Sequence, residues 1–472
     1  MKEYNKPWEY GALTTKEGSS YLFHGERLFF WLGDTAWLLL NELTDEEILV
    51  YLTNRAEKGF NVIQAVLVHH FPATNIYGKH AFLEEDVSRP DVDGLDSYWN
   101  QVDRVIKAAE SLGLYMALLP HWGGLATRLA KNDMEVYVKF LAERYKNAPN
   151  IIWVTGGDTK GNEAEDYWRT MGKILKKECK NHLVTFHPFG RTSSIDYFPN
   201  EDWMDFHMFQ SGHRRYDQRF LDEWDDVGKK EEITASRYYG EDNWRYVKDV
   251  LKSQNRKPVL DAEPSYEHIP QGLHQEKEPY WTTEQIRRYG WWSVLAGACG
   301  FTYGHNSIMQ FYKGLSKGSY SVTLPWQDAL HAPACDSMVH MKKIMESVIA
   351  KAWQDAKSCE EFLAGNAIWE EEQKEERIMA FHAGGVLLFY TYTGKTVEVN
   401  AKKIGQYLKE IYGTQQEGKT QEGKPEAIDA WWINPVSGVK SYIGEVKLTE
   451  EILSFSVPKG DDSHKDWLLM LG

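Results

Sequence analysis

IIWVTGGD, residues 151–158, is an apolar run that stops at two glycines and a carboxylate. Ile, Trp and Val in unbroken succession are the pattern of a strand buried on both faces, as in a parallel sheet covered by helices. A second run of this kind, PVLDAE (258–263), ends at Glu263. Parallel α/β barrels keep their chemistry at the C-terminal ends of their strands. Asp158 and Glu263 are therefore the first candidates for a catalytic pair.

Working outward, the same pattern recurs at FFWLGD (29–34), VIQAVLV (62–68), YMALLP (115–120), LVTFHPFG (183–190), MDFHMFQ (204–210) and GFTYGHN (300–306), eight runs in all. Helical patterns separate them. Thr44-Asp-Glu-Glu47 is a capping box ahead of ILVYLTNRAEKG, and Gly59 supplies a stop. DSYWNQVDRVIKAAESLG ends at Gly113, and MEVYVKFLAERYKN ends before Pro149. Eight strand–helix units over residues 29–355 predict an α/β fold, a (β/α)8 TIM barrel. A doubly wound open sheet would compete, but no G-x-G-x-x-G or Walker A loop follows the first strand.

After DSMVHMKKIMESVIAKAW (336–353) the character changes. RIMAFHAGG, VLLFYTYTG, TVEVNAKKIG, AIDAWWINPVSG, LSFSVPKG and DWLLMLG are short, β-rich and bounded by Gly, Pro and charged turns. They predict a C-terminal antiparallel β-sandwich over residues 358–472. Within it, QEGKTQEGKPE (416–426) lacks core residues and reads as a mobile loop. Residues 1–28, with GSSYLFHGERLFF running on past them, read as a hairpin arm that closes the barrel bottom or pads the β domain.

A length of 472 residues suits two unequal domains. The net charge of −15 opposes attraction to nucleic acid or to acidic membranes, and leaves a neutral or small partner. Trp (19) and Tyr (26) are abundant, and flat amphipathic rings suit the faces of sugars. The four cysteines are widely spaced with no C-x-x-C pair, which suggests neither a zinc site nor a disulfide framework. The N-terminus shows no signal-peptide core and no run of 18 uncharged apolar residues occurs, so a cytoplasmic protein with no membrane partner is expected.

Two carboxyl groups on opposite sides of a glycosidic bond can protonate the leaving oxygen and stabilise the anomeric centre. The remaining strand ends carry residues fit for a carbohydrate pocket: Asp34 and Trp37, His69, His121 and Trp122, His187, Gln210 and His213, Tyr266, then Tyr303 and His305. Asp34 would accept bonds from sugar hydroxyls. His207 would position Glu263, and Asp261 would pair with a basic residue. The histidine density raises a second reading, a metal-dependent amidohydrolase-like barrel. Such barrels open with His-x-His on strand one and use a Lys or carboxylate bridge on strand four, and strand one here has no histidine and strand four no lysine. A non-catalytic carbohydrate-binding protein is the third. No cofactor or metal is implied.

The stretch WLGDTAWLLLNELTDEEILVYLTNRAEKGFNVIQAVLV (31–68), with VTGGD, TFHP, QSGH and LDAEPSYE further on, resembles the apiosidase-like catalytic domain that includes glycoside hydrolase family 140. The resemblance covers about residues 10 to 350 and implies a barrel acting on plant cell wall side chains. It resembles, more widely, the retaining barrel clan, whose acid/base ends strand four and whose nucleophile ends strand seven. Asp158 and Glu263 stand at those places, although Gly-Gly-Asp replaces the usual Asn-Glu. The tail, with AWWINPVSG and DWLLML, resembles the small β domain that follows it and often bears a collagen-binding label; nothing in this chain suggests a collagen ligand. Apiose, arabinofuranose, galactose and glucose linkages all remain open.

Overall fold

The computed structural model describes residues 4–218, 238, 240–274, 277–315, 317–414, 427–459 and 464–472. The chain divides into two compact units, residues 1–286 with 298–335 and residues 287–297 with 336–472.

Each of the eight apolar runs is a strand. In the first unit they are β1 (Trp31–Thr35), β2 (Val62–Val66), β3 (Tyr115–Leu119), β4 (Ile151–Thr159), β5 (Val184–Pro188), β6 (His207–Gln210), β7 (Val259–Asp261) and β8 (Gly300–Tyr303). They lie in the order β5-β4-β3-β2-β1-β8-β7-β6, all parallel, and Gly300 pairs with Trp31 where the chain's last barrel strand meets its first. The two outer strands, β5 and β6, are stitched at their bases. Asp205 N donates to Val184 O (2.8 Å), and Thr185 Oγ1 donates to Phe206 O (2.7 Å). The sheet is thus a nearly closed barrel, as the eight-unit pattern predicts.

Helices α1 (Asp45–Lys58), α2 (Tyr98–Ser111), α3 (Lys131–Tyr145), α4 (Glu165–Glu178) and α5 (Asn243–Lys252) follow β1, β2, β3, β4 and β6, and α6 (Thr283–Leu295) and α7 (Pro333–Ile349) come after β7 and β8. The chain from β5 to β6 is bridged instead by a two-residue strand, Thr192–Ser193, antiparallel to β6, and a 3-10 turn, Ser194–Asp196. The α1 capping box forms as read: Thr44 Oγ1 accepts from Glu47 N, and Glu47 Oε2 accepts from Thr44 N. Gly59 ends that helix at φ 108°, a conformation that glycine adopts without steric cost. Tyr51, Leu52, Val102, Ile106, Leu141, Trp168 and Met171 bring their inner faces onto Ile63, Met116, Leu118, Trp153 and Val184. Each such side chain contributes about 1.5–3 kcal/mol on burial. That layer holds the strand ends rigidly, which a catalytic site requires.

At the opposite end of the strands, Leu13–Thr15, Leu22–His24 and Arg27–Phe29 form an antiparallel meander. His24 and Phe29 pack on Tyr115, the first residue of β3, with ring centroids 5.8 and 5.6 Å away. The arm covers the barrel's N-terminal end.

In the second unit, β9 (Lys357–Ser358), β10 (Ile378–Ala383), β11 (Val386–Thr391), β13 (Ala427–Ile433), β14 (Lys440–Lys447) and β16 (Trp467–Leu471) form an antiparallel sheet in the order β9-β10-β11-β16-β13-β14. A two-stranded ribbon, β12 (Val397–Asn400) and β15 (Ile452–Phe455), lies with helix α8 (Ala401–Thr414) over one face of it. Val399, Phe455, Ile404 and Leu408 meet Leu387, Phe389, Trp432 and Leu469 in one core. The expected β domain is present with two corrections. The Ala-Lys-Lys-Ile-Gly stretch, read as part of a β segment, is the opening turn of α8. Strand β14, which no β segment in the reading covers, is exposed along most of its length and so lacks the apolar alternation that reveals a strand. Among the described residues it is the outermost strand of its sheet, carries lysine at both ends, and has a bulge of its own at Ile443, between the partners of Ala430 and Trp431. The loop 416–426 lies outside the described residues.

This unit also contains residues 287–297, from the helix Thr283–Leu295. Arg287 there makes a bidentate, fully buried ion pair with Asp466 (2.9 and 2.7 Å), and Tyr390 OH donates to the same carboxylate at 2.8 Å. No helix among the described residues is long and apolar enough to cross a membrane.

Candidate active site

Strand β4 is regular to Thr155 and then departs. Gly156 and Gly157 take φ of 87° and 107°, and Asp158 takes 47°. Glycine enters this left-handed region freely and aspartate more easily than most side chains. Gly156 pairs with His187 while Thr159 pairs with Pro188, so Gly157 and Asp158 bulge out of the ladder. A Cβ on Gly156 would stand 2.3 Å from His187 O, which explains why the position excludes any larger residue. The bulge delivers the Asp158 carboxylate to a cavity, where the Gln210 side chain and the Gly190 N–H reach it. The Asp158 carboxylate is open to the cavity, so its desolvation is that of a concave wall rather than of a sealed core. That desolvation and the negative charge of Glu263 both act upward and raise its pKa to about 7.

Glu263 lies two residues beyond the end of β7 and is buried. Burial alone would raise its pKa, but a hydrogen bond from His213 and the proximity of His187 and His213 outweigh burial, with help from the Tyr266 hydroxyl. The net direction is downward. His213 Nε2 is 3.3 Å from Oε1, and since a carboxylate only accepts, that nitrogen is the donor. His187 lies between the two acids. Its Nε2 is 3.4 Å from Glu263 Oε2, and its Nδ1 is 3.5 Å from the Asp158 amide nitrogen. Trp37 Nε1 donates to Tyr266 OH at 3.0 Å, which leaves the phenol proton to point at Glu263.

Both carboxylates open into one cavity of about 310 Å³, at the small end of ligand sites. Of the sequence candidates, Trp37, His69, Trp122, Gln210, His213 and Tyr266 line it with Asp158 and Glu263. Phe189, Arg191, Arg214, Gln310 and Tyr320 also line it and were not among the candidates. The two arginines were within reach of the strand-end rule, directly after HPFG and QSGH. Tyr320 sits far along the loop after β8, where no periodicity marks it.

The other candidates lie elsewhere. Asp34, expected at sugar hydroxyls, is sealed from water and takes hydrogen bonds from Tyr51 OH (2.6 Å) and Arg55 Nε, clamping α1 to β1. His121 bonds Tyr167 OH (2.7 Å) and backs Trp122. Tyr303 OH donates to Glu267 (2.6 Å), and His305 caps the helical turn after β8 by accepting from Ser307 N. His207 does not position Glu263: it pairs in register with Val259, far down β7, and bonds Ser194 Oγ at 2.9 Å. Asp261 takes its bonds from neutral donors, Ser211 and Asn243, and not from a basic residue; burial raises its pKa to about 7 despite them. Burial also depresses the histidines, His69 and His121 to about 4, His207 and His305 to about 3. Among the described residues no three His, Cys, Asp or Glu side chains group closely enough to hold a metal ion.

No curated protein matches the chain. The model of the apiosidase-like catalytic domain matches residues 16–352, which take in every barrel strand. A solved structure described as a glycoside hydrolase is 36% identical, covering 99% of this chain and 98% of that one, with a TM-score of 0.87. A glycoside hydrolase family 5 structure from Bacteroides vulgatus ATCC 8482 is 33% identical over 100% of this chain and 95% of that one, with a TM-score of 0.86. With the family model spanning the barrel and the likeness running from end to end, this chain belongs to the apiosidase-like family and is a glycoside hydrolase.

Proposed function

We propose that the enzyme removes a terminal sugar from plant cell wall-derived oligosaccharides or glycosides, with Asp158 as acid/base and Glu263 as nucleophile, and that an apioside is its substrate. The observation that carries this reading is the unlike setting of two carboxylates in one cavity: Asp158 stands on the β4 bulge facing the charge of Glu263, while His213 hydrogen-bonds Glu263. The pKa of the first is raised to about 7 and that of the second lowered, so at mildly acidic pH one holds a proton and the other does not. Asp158 passes its proton to the glycosidic oxygen as the C–O bond breaks, and a Glu263 oxygen bonds the anomeric carbon. Water then gives a proton to the Asp158 carboxylate and attacks the same carbon, and Glu263 leaves. The product keeps the anomeric configuration. Residues 29–355 do this work, and 358–472 are an accessory domain.

The small cavity and its walls of Trp37, Trp122 and Tyr266 favour a single terminal residue over a passing polymer chain. The reading is tested with aryl apioside, arabinofuranoside, galactoside, glucoside and xyloside, assayed with wild type, Asp158→Ala and Glu263→Ala. We expect the apioside to be cleaved, each variant to lose about 10²–10⁴-fold or more in kcat, and proton NMR of the first-formed product to show retention. Rapid mid-chain cleavage of a polymer, or an inverted product, would overturn the corresponding part.

A further inference from the structure

The Glu263 carboxylate depends on His213, and His213 has no strand beneath it. It ends the Gln210–Ser211–Gly212–His213 turn beyond β6, whose later carbonyls are held by Ser265 Oγ on Gly212 O (2.8 Å) and by Gly272 N and Trp281 Nε1 on His213 O (2.7 and 3.2 Å), and its start at Ser211 needs an anchor of its own. Asp261, sealed from water, provides it. Its Oδ2 accepts from Ser211 Oγ at 2.6 Å and its Oδ1 from Ser211 N at 3.3 Å. From there the turn is carried straight to the catalytic residue: Gly212 N donates to Glu263 O at 3.1 Å, and His213 Nε2 reaches Glu263 Oε1. Gly212 stands at φ 79°, a conformation that would relax readily if its neighbour lost its anchor. The sequence places Asp261 and Glu263 two residues apart at the end of β7, so one strand end holds both the reacting carboxylate and the anchor of the residue that tunes it.

We propose that Asp261 and Ser211 are positioning residues of this glycosidase site: they hold the turn after β6 so that His213 stays hydrogen-bonded to the Glu263 carboxylate. The inference rests on the reading of Glu263 as the ionised partner. Besides His213, the titratable and charged groups that share the cavity with Glu263 or face it are Asp158 from β4, His187 from β5, Arg191 and Arg214 from the turns after β5 and β6, Tyr266 and His274 from the segment after β7, and Tyr320 from the loop after β8. Asp261 and Gly212 bond the Glu263 backbone, at its N and its O, whereas His213 bonds the carboxylate, so a change at Ser211 reaches that carboxylate through His213.

The test is the pH dependence of kcat/KM on the cleaved aryl glycoside for wild type, Ser211→Ala, His213→Gln and the double variant. Ser211→Ala is nearly isosteric. The expected result is an acid limb moved upward by roughly half a unit or more in each single variant, with the double variant moved no further than His213→Gln alone. Asp261→Asn, which keeps volume and one acceptor, should give a smaller shift in the same direction, and it carries the test if Ser211→Ala does not fold. An acid limb that stays in place in Ser211→Ala and Asp261→Asn, or additive shifts in the double variant, would overturn the proposal. Retained activity in Glu263→Gln would instead overturn the catalytic reading beneath it.

Discussion

Asp158 and Glu263 differ in the company their side chains keep, and that difference has a cost in stability as well as a use in catalysis. A carboxyl whose folded pKa is raised binds more protons folded than unfolded between its two pKa values, so it draws stability away as pH rises from about 4 through about 7. Asp158→Asn removes that penalty. It should melt close to wild type at pH 4 and above it at pH 8, in a thermal scan across that range; a gain that is largest at pH 4 would contradict the assigned direction. Residues of this kind were legible as candidates because they end apolar runs. Asp34 ends one too, and was misread because its partners, Tyr51 and Arg55, lie one turn apart on α1, and only the fold brings that helix face onto β1. Strand-end position marks a residue as available to the site. It does not tell which residues the helices behind the sheet take for themselves.

At the level of elements, the bulge in β4 is where sequence and function meet most directly. The two glycines before Asp158 were visible as a departure from Asn-Glu, but their reason is conformational and appears only with the φ values and with the carbonyl of His187 behind Gly156. Gly156→Ala should lower kcat by about 10²-fold through a displacement of Asp158 on the order of 1 Å, while KM for a neutral aryl glycoside moves less. Steady-state kinetics on the purified variant decides it, and an unchanged kcat would show that the bulge does not set the acid's position. The eight barrel strands were legible because covered parallel strands are written as unbroken apolar runs. Helix α8 was not, because its cap, Asn400, which accepts from Lys403 N, is also the last residue of β12, and β14 was not, because it buries almost nothing.

Over the whole molecule, the second unit joins residues that the sequence keeps far apart, and Arg287 with Asp466 is the clearest case. Removing one partner leaves a buried charge unpaired, so Asp466→Ala should cost about 3–5 kcal/mol, whereas Arg287→Met with Asp466→Leu should recover much of it. Urea unfolding followed by a probe in the β domain measures both, and equal losses in single and double variants would argue against an ion-pair origin. Among the described residues that unit also ends in an open edge, β14. A strand with unpaired backbone groups along one side is a template for any other strand, including its own copy in a neighbouring molecule, and natural sheets blunt such edges with lysines and bulges. Lys440, Lys447 and the bulge at Ile443 occupy the places where such guards stand. Their effect would be on colloidal behaviour and not on folding: Lys440→Thr with Lys447→Thr should leave the melting point nearly unmoved and lower the concentration at which light scattering still reports a single species. How concentrated a solution of this enzyme can be made is then decided by a strand that contributes little to its core.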